Sequence, residues 1–318
     1  MGRLAADAPK EMIHLRAGRA QVEIAPRAGG AIAAFRWDVS GAHVNWLRPA
    51  TAEAIRDRDP EGMACFPVVP YSNRIRDGRF SFEGRKIQLP AQSGIDAHCE
   101  HGHGWRSAWS VVAHDGSTAR LLHRYPAGQS WPWPYVAEQL FVLTDENLAV
   151  TVTLTNIGDR PMPCGLGLHP YFPATKLTRL SARVTLMWET DAEVLPTRLV
   201  VPAQAENPTS GVVISNATLD NAFTGWTGEA EISWPETGAR LSMTADAPLR
   251  VLVVYTPAGA DYFCAEPVSN ITDAANLAAT RTDTGLLTLQ PGHSVCATVR
   301  FIPSNCQDNR VTRTTQGE

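Results

Sequence analysis

The chain has 318 residues, of which 44% are hydrophobic and 19% are charged, and its formal net charge is −4. This composition is typical of a globular protein that is long enough to bury a sizeable core. The sequence contains no long run of like charges and therefore lacks the concentrated basic face that nucleic-acid or anionic lipid partners require.

Taken in chain order, the predicted elements are almost all short strands. In the segment Leu148–Thr155 every second residue is Leu or Val, and the residues between them are Thr or Ala. Because successive strand side chains point to opposite faces, this pattern predicts one buried face and one exposed face. Similar patterns predict strands at Gln21–Ile24, Trp109–His114, Ala119–Tyr125, Arg183–Met187, Glu229–Ser233, Leu241–Thr244, Leu249–Tyr255 and Ser294–Phe301, whereas Thr51–Asp59 predicts a short helix.

The spacing of turn residues indicates one all-β domain. The chain has 24 glycines and 23 prolines, and clusters of Gly, Pro, Asn and Asp separate the predicted strands. This punctuation favours an all-β sandwich or barrel. No Gly/Ser-rich or Pro-rich linker divides the chain, so we expect a single domain over residues 1–303 and a polar, disordered tail over residues 304–318.

Features that report on the cellular compartment predict a cytoplasmic protein. Residues Met1–Lys10 lack the unbroken apolar segment of a secretory signal, and no apolar stretch is long enough to cross a bilayer. The six cysteines are scattered along the chain without a Cys-x-x-Cys pair, which is typical of reduced thiols: Cys65, Cys99, Cys164, Cys264, Cys296 and Cys306.

Two polar segments interrupt the apolar pattern in the first third of the chain. In Cys65–Phe80, Asn73 and Arg74 precede Asp77-Gly78, a dipeptide that predicts a two-residue hairpin turn. An arginine offers a fork of donors suited to vicinal sugar hydroxyls, although exposed hairpin charges would give the same pattern. The segment His98–Trp105 contains three histidines, which we expect to form a loop at a cleft and not a metal site, because no second ligand pair follows.

Two further segments place ionisable residues among apolar ones. His169 lies in Gly165–Pro173 and Glu266 lies in Tyr262–Val268, and a proline follows each of them. A histidine in such a position is either a hydrogen-bonded core residue or an acid–base group. A glutamate in a hydrophobic strand is either part of a buried ion pair or a catalytic carboxylate. The aromatic segment Trp131–Tyr135 is a weaker indication of a sugar site.

Five short motifs follow one another along the chain. They are Asn-Arg-Ile-x-x-Gly-x-Phe at Asn73–Phe80, His-Gly at His101–Gly102, Leu-His-Pro-Tyr-Phe at Leu168–Phe172, Leu-Asp-Asn-x-Phe at Leu219–Phe223 and x-Glu-Pro at Ala265–Pro267. In this order they resemble the aldose 1-epimerase (galactose mutarotase) family over nearly the whole chain. The resemblance implies a large antiparallel β-sandwich of the galactose mutarotase-like supersandwich type, with few short helices and a cleft on one concave sheet.

The resemblance also implies roles for individual residues. It assigns the general base to Glu266 and the general acid to His169, with no metal and no cofactor. Four further residues are expected to bind the sugar, namely Arg74, His101, Asp220 and, with a less defined role, Asn73. The family's activity is to interconvert the α and β anomers of a free hexose by ring opening and closure. The expected partner is thus a small sugar, and the chain is expected to be a monomer or a homodimer.

The mechanism places a condition on the two catalytic candidates, because one must accept a proton while the other donates one. An ionised Glu266 is expected to raise the pKa of His169, and the imidazolium to keep Glu266 ionised. A bell-shaped dependence of rate on pH is predicted from this pair.

Three alternatives remain open from the sequence. Where galactose mutarotases have a second glycine after His101-Gly102, this chain has His103, so the sugar is not defined. A hexose 6-phosphate or a sulfonated hexose is one alternative, with Arg76 and Arg106 as candidate anion ligands. A non-catalytic carbohydrate-binding protein is the second, and a polysaccharide lyase or hydrolase that uses Asp220 and Glu266 is the third.

Overall fold

The computed structural model describes residues 12–39, 41–92 and 98–305 of the chain. Strands dominate these residues, and only two short helices, α1 (Ala52–Asp57) and α2 (Ala274–Leu277), accompany them together with six single 3₁₀ turns. The expected short helix at Thr51–Asp59 is α1, where the Thr51 side chain caps the amide of Ala54 at 3.1 Å.

Twenty-six strands are present in the described part of the chain. In chain order they are β1 (Ile13–Ala17), β2 (Ala20–Ala25), β3 (Ala31–Val39), β4 (Ala42–Asn45), β5 (Cys65–Val68), β6 (Arg74–Ile75), β7 (Arg79–Phe82), β8 (Arg85–Gln88), β9 (Cys99–Glu100), β10 (Ser110–His114), β11 (Thr118–Tyr125), β12 (Tyr135–Leu143), β13 (Leu148–Asn156), β14 (Met162–Cys164), β15 (Gly167–Pro173), β16 (Arg179–Ala182), β17 (Leu186–Thr190), β18 (Pro196–Val200), β19 (Val212–Val213), β20 (Asp220–Thr224), β21 (Glu229–Trp234), β22 (Ala239–Ala245), β23 (Val251–Tyr255), β24 (Tyr262–Val268), β25 (Leu287–Leu289) and β26 (Ser294–Asn305).

Two large antiparallel sheets are built from these strands. The first has 11 strands in the order β1-β2-β3-β5-β15-β24-β23-β20-β17-β18, with β4 added at β3. The second has nine strands in the order β10-β11-β12-β13-β26-β22-β21-β16-β19. The pairs β14–β25, β6–β9 and β7–β8 form two-stranded ribbons. This arrangement is the large antiparallel all-β sandwich with few short helices that the sequence predicts.

Apolar side chains occupy both faces of the first sheet near its centre. Leu168, Phe172 and Phe263 belong to the large core between the two sheets. Residues at the intervening positions, such as Phe66 and Tyr171, belong to a second apolar cluster on the opposite face. Since both faces of β15 are covered, six of its seven residues are buried, and the second cluster supplies an apolar floor on which polar side chains can stand.

The second sheet shows the alternation expected from the sequence. In β13 the buried residues alternate with half-buried ones along all nine positions. The strand predicted at Arg183–Met187 begins later, at Leu186, and extends to Thr190. The last strand continues to Asn305, and residues 306–318 of the expected tail lie outside the described residues.

The hairpin predicted at Asp77-Gly78 does not form there but at the next turn along the chain. Both residues adopt the positive φ of such a turn, 53° and 61°. The strands on either side do not pair with each other, because β6 pairs with β9 and β7 pairs with β8. The hairpin connects β7 to β8 through Glu83-Gly84, whose φ values of 48° and 73° are also positive.

Four of the five cysteines within the described residues are buried, only Cys296 is exposed, and all five are free thiols. Cys306 lies outside the described residues. In the part of the chain that the structure covers, no helix has the length and apolar character needed to span a membrane.

Candidate active site

His169 and Glu266 face each other from adjacent strands at the centre of the first sheet. Antiparallel β15 and β24 pair Tyr171 with Cys264, so two residues further along each strand His169 lies opposite Glu266. Their side chains meet with 3.3 Å between Nε2 of His169 and Oε1 of Glu266. The proline that follows each residue favours extended backbone, which directs both side chains away from the sheet.

Aromatic rings fix the orientation of the His169 imidazole. The ring stacks on Phe66, its partner residue on β5, with 4.5 Å between centroids, and on Tyr171 with 4.8 Å. Both His169 and Glu266 are buried. Within the described residues, Oε2 of Glu266 has no hydrogen-bond partner. A buried carboxylate oxygen in this condition is available to a ligand that brings a hydroxyl group.

Burial opposes the ion pair that the sequence predicts. It raises the pKa of Glu266 well above its usual value, and the charges of Asp220 and Glu100 act in the same direction. It lowers the pKa of His169 well below its usual value, with a further contribution from His101. Burial therefore favours the uncharged forms of both groups, in which the proton shared by the pair is on Glu266.

His101 is held as a neutral hydrogen-bond donor. Its Nδ1 accepts the backbone amide of Asn73 at 3.0 Å, so the proton of the neutral ring is on Nε2. Burial, with Arg74 and Arg106, lowers the pKa of His101 to about 3. At neutral pH this residue can donate a hydrogen bond from Nε2 but cannot act as a general acid.

Asn73 positions the neighbouring backbone. Its φ is 62°, a left-handed conformation that asparagine tolerates better than most residues. The side-chain oxygen accepts the amide of Arg74 at 2.7 Å, and the backbone carbonyl accepts the amide of His101 at 3.1 Å. Asn73 thus links the segments that carry the arginine and the second histidine.

Arg74 lies beside a carboxylate that the sequence-based prediction did not include. Its Nε is 3.4 Å from Oε1 of Glu100, and Nη1 donates to the backbone carbonyl of Glu193 at 2.6 Å. The loop that contains Glu193 joins β17 to β18. These two contacts hold the planar guanidinium group of Arg74 in one orientation at the cleft.

Asp220 begins β20, where it pairs with Tyr255 of β23. Burial raises the pKa of its carboxyl group to about 6, Glu100 adds to this effect and Arg74 opposes it. Asp220 is consequently charged at neutral pH, close to its titration range. A carboxylate in this state is a strong acceptor for sugar hydroxyls.

A single cleft brings these residues together. Its volume is about 350 Å³, and all six residues predicted from the sequence line it: Asn73, Arg74, His101, His169, Asp220 and Glu266. The two strands of the catalytic candidates form the floor, while the β6–β9 ribbon supplies one wall. A polar cleft of this size with an apolar floor is suited to a small polyhydroxylated ligand.

Comparison with known proteins identifies the family of this chain. A sequence model of the aldose 1-epimerase family matches residues 11–301. The chain belongs to the aldose 1-epimerase family. The protein YphB of Escherichia coli K12, whose function is uncharacterized, is 34% identical over 264 residues, covering 77% of this chain and 86% of YphB.

Solved structures of the aldose 1-epimerase family share this fold. A candidate aldose 1-epimerase from Escherichia coli K12 is 28% identical, covers 92% of this chain and 99% of its own, and has a TM-score of 0.84. A galactose mutarotase-like protein from Clostridium acetobutylicum is 20% identical, covers 92% and 95%, and has a TM-score of 0.82.

Sequence reasoning missed several other residues that line the cleft. Glu61, Phe66, His98, Glu100, Trp105, Tyr171, Val253, Tyr255 and Tyr262 also line it. Tyr171 lies within the motif Leu168–Phe172 and Glu100 directly precedes His101-Gly102, and these positions were the only available signal. For the others, the positions depend on strand pairing that no local pattern reveals.

The three histidines of His98–Trp105 have different surroundings in this family member. His98 is buried beside Asp77, whose amide it accepts at 3.0 Å, and only His101 is near His169. His103 packs on Tyr125, with 4.0 Å between ring centroids, and contacts the Tyr135 hydroxyl at 3.0 Å.

Among the described residues, one group has the composition of a metal site, namely His169, Cys264 and Glu266, whose ligand atoms lie within 4.8 Å of one another. A cysteine binds zinc as the thiolate, and zinc–ligand bonds are roughly 2.0–2.3 Å long. Burial raises the pKa of the Cys264 thiol well above its usual value, which disfavours the thiolate. The group would also have to contract, so the arrangement suits acid–base chemistry better.

The tryptophans of Trp131–Tyr135 have a structural position in this fold. Trp131 and Trp133 are buried in the core between the sheets, where both stack on Phe80 at 5.6 Å and 6.3 Å. The cleft aromatics come instead from strands of the first sheet and from Trp105. The suggestion that this segment contacts sugar is therefore wrong.

Proposed function

We propose that this chain is a mutarotase that interconverts the α and β anomers of a free hexose, with Glu266 as general base and His169 as general acid. The observation that carries the proposal is the buried 3.3 Å contact between Nε2 of His169 and Oε1 of Glu266 at the floor of a polar cleft. Family membership supports the same class of reaction, an isomerisation at the anomeric carbon.

The proton shared by the pair supports ring opening. A bound sugar donates its O1 hydroxyl to Glu266 and accepts at O5 from His169, and both contacts favour transfer of the shared proton from Glu266 to His169. The Glu266 carboxylate then removes the O1 proton while the imidazolium protonates O5. The ring C1–O5 bond breaks, the open-chain aldehyde forms, and both side chains become neutral.

Burial then acts in favour of the reaction. A raised pKa makes Glu266 a stronger base, and a lowered pKa makes His169 a stronger acid. The neutral pair that results from ring opening is the form that burial stabilises. Rotation about C1–C2 exposes the other face of the aldehyde, and closure reverses both proton transfers to give the other anomer.

The surroundings of the cleft favour an uncharged sugar over a phosphorylated or sulfonated one. Arg76 lies 3.7 Å from Asp273, and Arg106 lies 3.3 Å from Glu61. Neither arginine is among the residues that line the cleft. The two cations that the sequence offers for an anionic group are therefore paired with carboxylates and do not line the cleft.

The variant Glu266→Gln tests the proposal because it preserves the shape of the side chain and removes the base. We expect mutarotation by this variant to be slower by about 10²–10⁴-fold, the usual contribution of a general base. The measurement is the relaxation of fresh α-D-glucose and α-D-galactose by polarimetry.

The matched control is Glu231→Gln, which changes an exposed carboxylate paired with Arg240 on the second sheet. We expect this variant to retain the wild-type rate. The assignment of the base is wrong if Glu266→Gln, folded as judged by its thermal unfolding, keeps more than about a tenth of the wild-type rate.

A further inference from the structure

Glu100 has a fixed position in the cleft wall. It is the register partner of Arg74 in the β6–β9 ribbon, and both side chains line the cleft. Oε1 of Glu100 lies 3.4 Å from Nε of Arg74 and 3.7 Å from Nε2 of His101. Its side chain is 23% exposed, so the carboxylate is partly removed from bulk water. The oxygen thus stands between two groups that are expected to hold sugar hydroxyls.

Gln92 holds the backbone of this segment. The amide of Glu100 donates to Oε1 of Gln92 at 2.6 Å. In return, Nε2 of Gln92 donates to the carbonyls of Glu100 at 3.1 Å and Gly102 at 2.6 Å. The Gln92 side chain thus makes three hydrogen bonds that hold the backbone at Glu100 before any ligand binds. This order lowers the entropy that would be lost when a ligand binds.

Glu100 also determines how Arg74 can be used. A guanidinium without an acidic neighbour would attract a phosphate or sulfonate group in a bidentate contact. With Glu100 at 3.4 Å and the Glu193 carbonyl at 2.6 Å, the positive charge of Arg74 is compensated. Its remaining capacity is that of a hydrogen-bond donor, which matches a neutral hydroxyl.

Carboxylates outnumber cations among the residues that line the cleft, where Arg74 is the only arginine or lysine. Burial favours the uncharged form of Glu266, and Glu61 is paired with Arg106. An anionic substituent entering the cleft would therefore meet chiefly the partly buried carboxylates of Glu100 and Asp220. Repulsion of this kind costs energy that exposed charges in water do not experience.

We propose that Glu100 is a specificity-determining residue, which accepts a hydrogen bond from a hydroxyl of the sugar and excludes hexoses that carry an anionic group. This inference rests on the proposed function, since it deepens the description of the same site. It assigns to the cleft an uncharged hexose as substrate and gives the chemical reason for rejecting a hexose phosphate.

The test compares D-glucose and D-galactose with their 6-phosphates in the wild type and in Glu100→Gln. Two quantities are measured, kcat/KM for mutarotation by NMR and the dissociation constant by calorimetry. In Glu100→Gln we expect the preference for the neutral sugar over its 6-phosphate to fall by about tenfold or more, because one like charge is removed and Arg74 is released. The change should be in KM and not in kcat.

Glu138→Gln is the matched control, since Glu138 is a partly exposed carboxylate paired with Arg120 on the second sheet, with 25% exposure. It should leave the preference unchanged. An unchanged preference in Glu100→Gln, or tighter binding of the phosphate than of the neutral sugar by the wild type, would overturn the inference. Calorimetry measures the preference for the neutral sugar even if the protein does not catalyse mutarotation. A failure of this inference can therefore be distinguished from a failure of the proposed function.

Discussion

Single ionisable residues in the cleft are displaced from their usual protonation behaviour by their neighbours. Asp220 is the example with a defined range, because burial and Glu100 raise its pKa to about 6 despite the opposing charge of Arg74. The carboxylate is thus fully charged only above this pH. Its capacity to accept strong hydrogen bonds from a sugar falls as it becomes protonated.

A pH dependence of substrate binding follows for Asp220. The KM for the hexose should rise as pH falls through about 6, because a neutral carboxyl group accepts hydrogen bonds more weakly. In Asp220→Asn the KM should be raised throughout and this pH dependence lost. Mutarotation kinetics between about pH 5 and pH 8 measure both effects. Retention of the same acid limb in Asp220→Asn would show that another group titrates there.

The protonation of His169 and Glu266 was beyond sequence reasoning. Their placement in one cleft could be predicted, since each stands in a short motif followed by proline. The directions of their pKa shifts could not, because they depend on burial contributed by Phe66 and Tyr171 and on the charge of Glu100. A pairwise view of one acid and one base predicted an ion pair, whereas desolvation favours the neutral forms.

At the scale of the elements, the close pairing of β15 with β24 sets the distance between the catalytic candidates. Gly167 of β15 is packed so tightly that an added Cβ would lie 2.8 Å from Cα of Val268 and would overlap the carbonyl oxygen of Pro267. No side chain fits there unless the strands separate. Because His169 is only two residues away, such a separation would reach the 3.3 Å contact with Glu266.

Gly167→Ala is therefore expected to lower both stability and turnover. Overpacking of this kind typically costs about 1–3 kcal/mol in the free energy of unfolding. Thermal unfolding and mutarotation kinetics measure the two effects. The control is Gly116→Ala, where an added Cβ meets no atom within 4 Å. Wild-type stability and rate in Gly167→Ala would contradict the view that this pairing sets the catalytic distance.

Strand patterns in the sequence predicted most elements but not their partners. The alternation of β13 and β26 shows directly which face is buried, and the strands form at the expected residues. The dipeptide Asp77-Gly78 has the backbone of a hairpin turn, yet β6 pairs with a distant strand through Glu100. Local chemistry determines the turn, whereas pairing across the chain determines which side chains meet in the cleft.

At the scale of the whole molecule, the first sheet separates two apolar clusters with different functions. Phe141 belongs to the cluster between the sheets and is fully buried. Phe66 belongs to the cluster on the cleft face and stacks on His169 with 4.5 Å between ring centroids. The first cluster should contribute to stability alone, while the second should contribute to stability and to the orientation of the imidazole.

The pair of variants Phe141→Ala and Phe66→Ala distinguishes these contributions. Each should lose about 3–5 kcal/mol of unfolding free energy, as is usual for a buried phenylalanine. Turnover of the folded protein should fall only in Phe66→Ala, because the support of His169 is lost there. Denaturant unfolding and kcat measured well below the melting temperature give the two quantities. An equal fall of kcat in Phe141→Ala would show that the clusters do not act separately.

The most direct test of the proposed mutarotase activity is the relaxation of fresh α-D-glucose and α-D-galactose to anomeric equilibrium with the wild-type protein, followed by polarimetry or NMR. We predict that the protein accelerates relaxation of at least one of the two sugars in proportion to its concentration. Relaxation of both sugars at the uncatalysed rate, with folded protein, would contradict the assignment of the cleft to a free hexose.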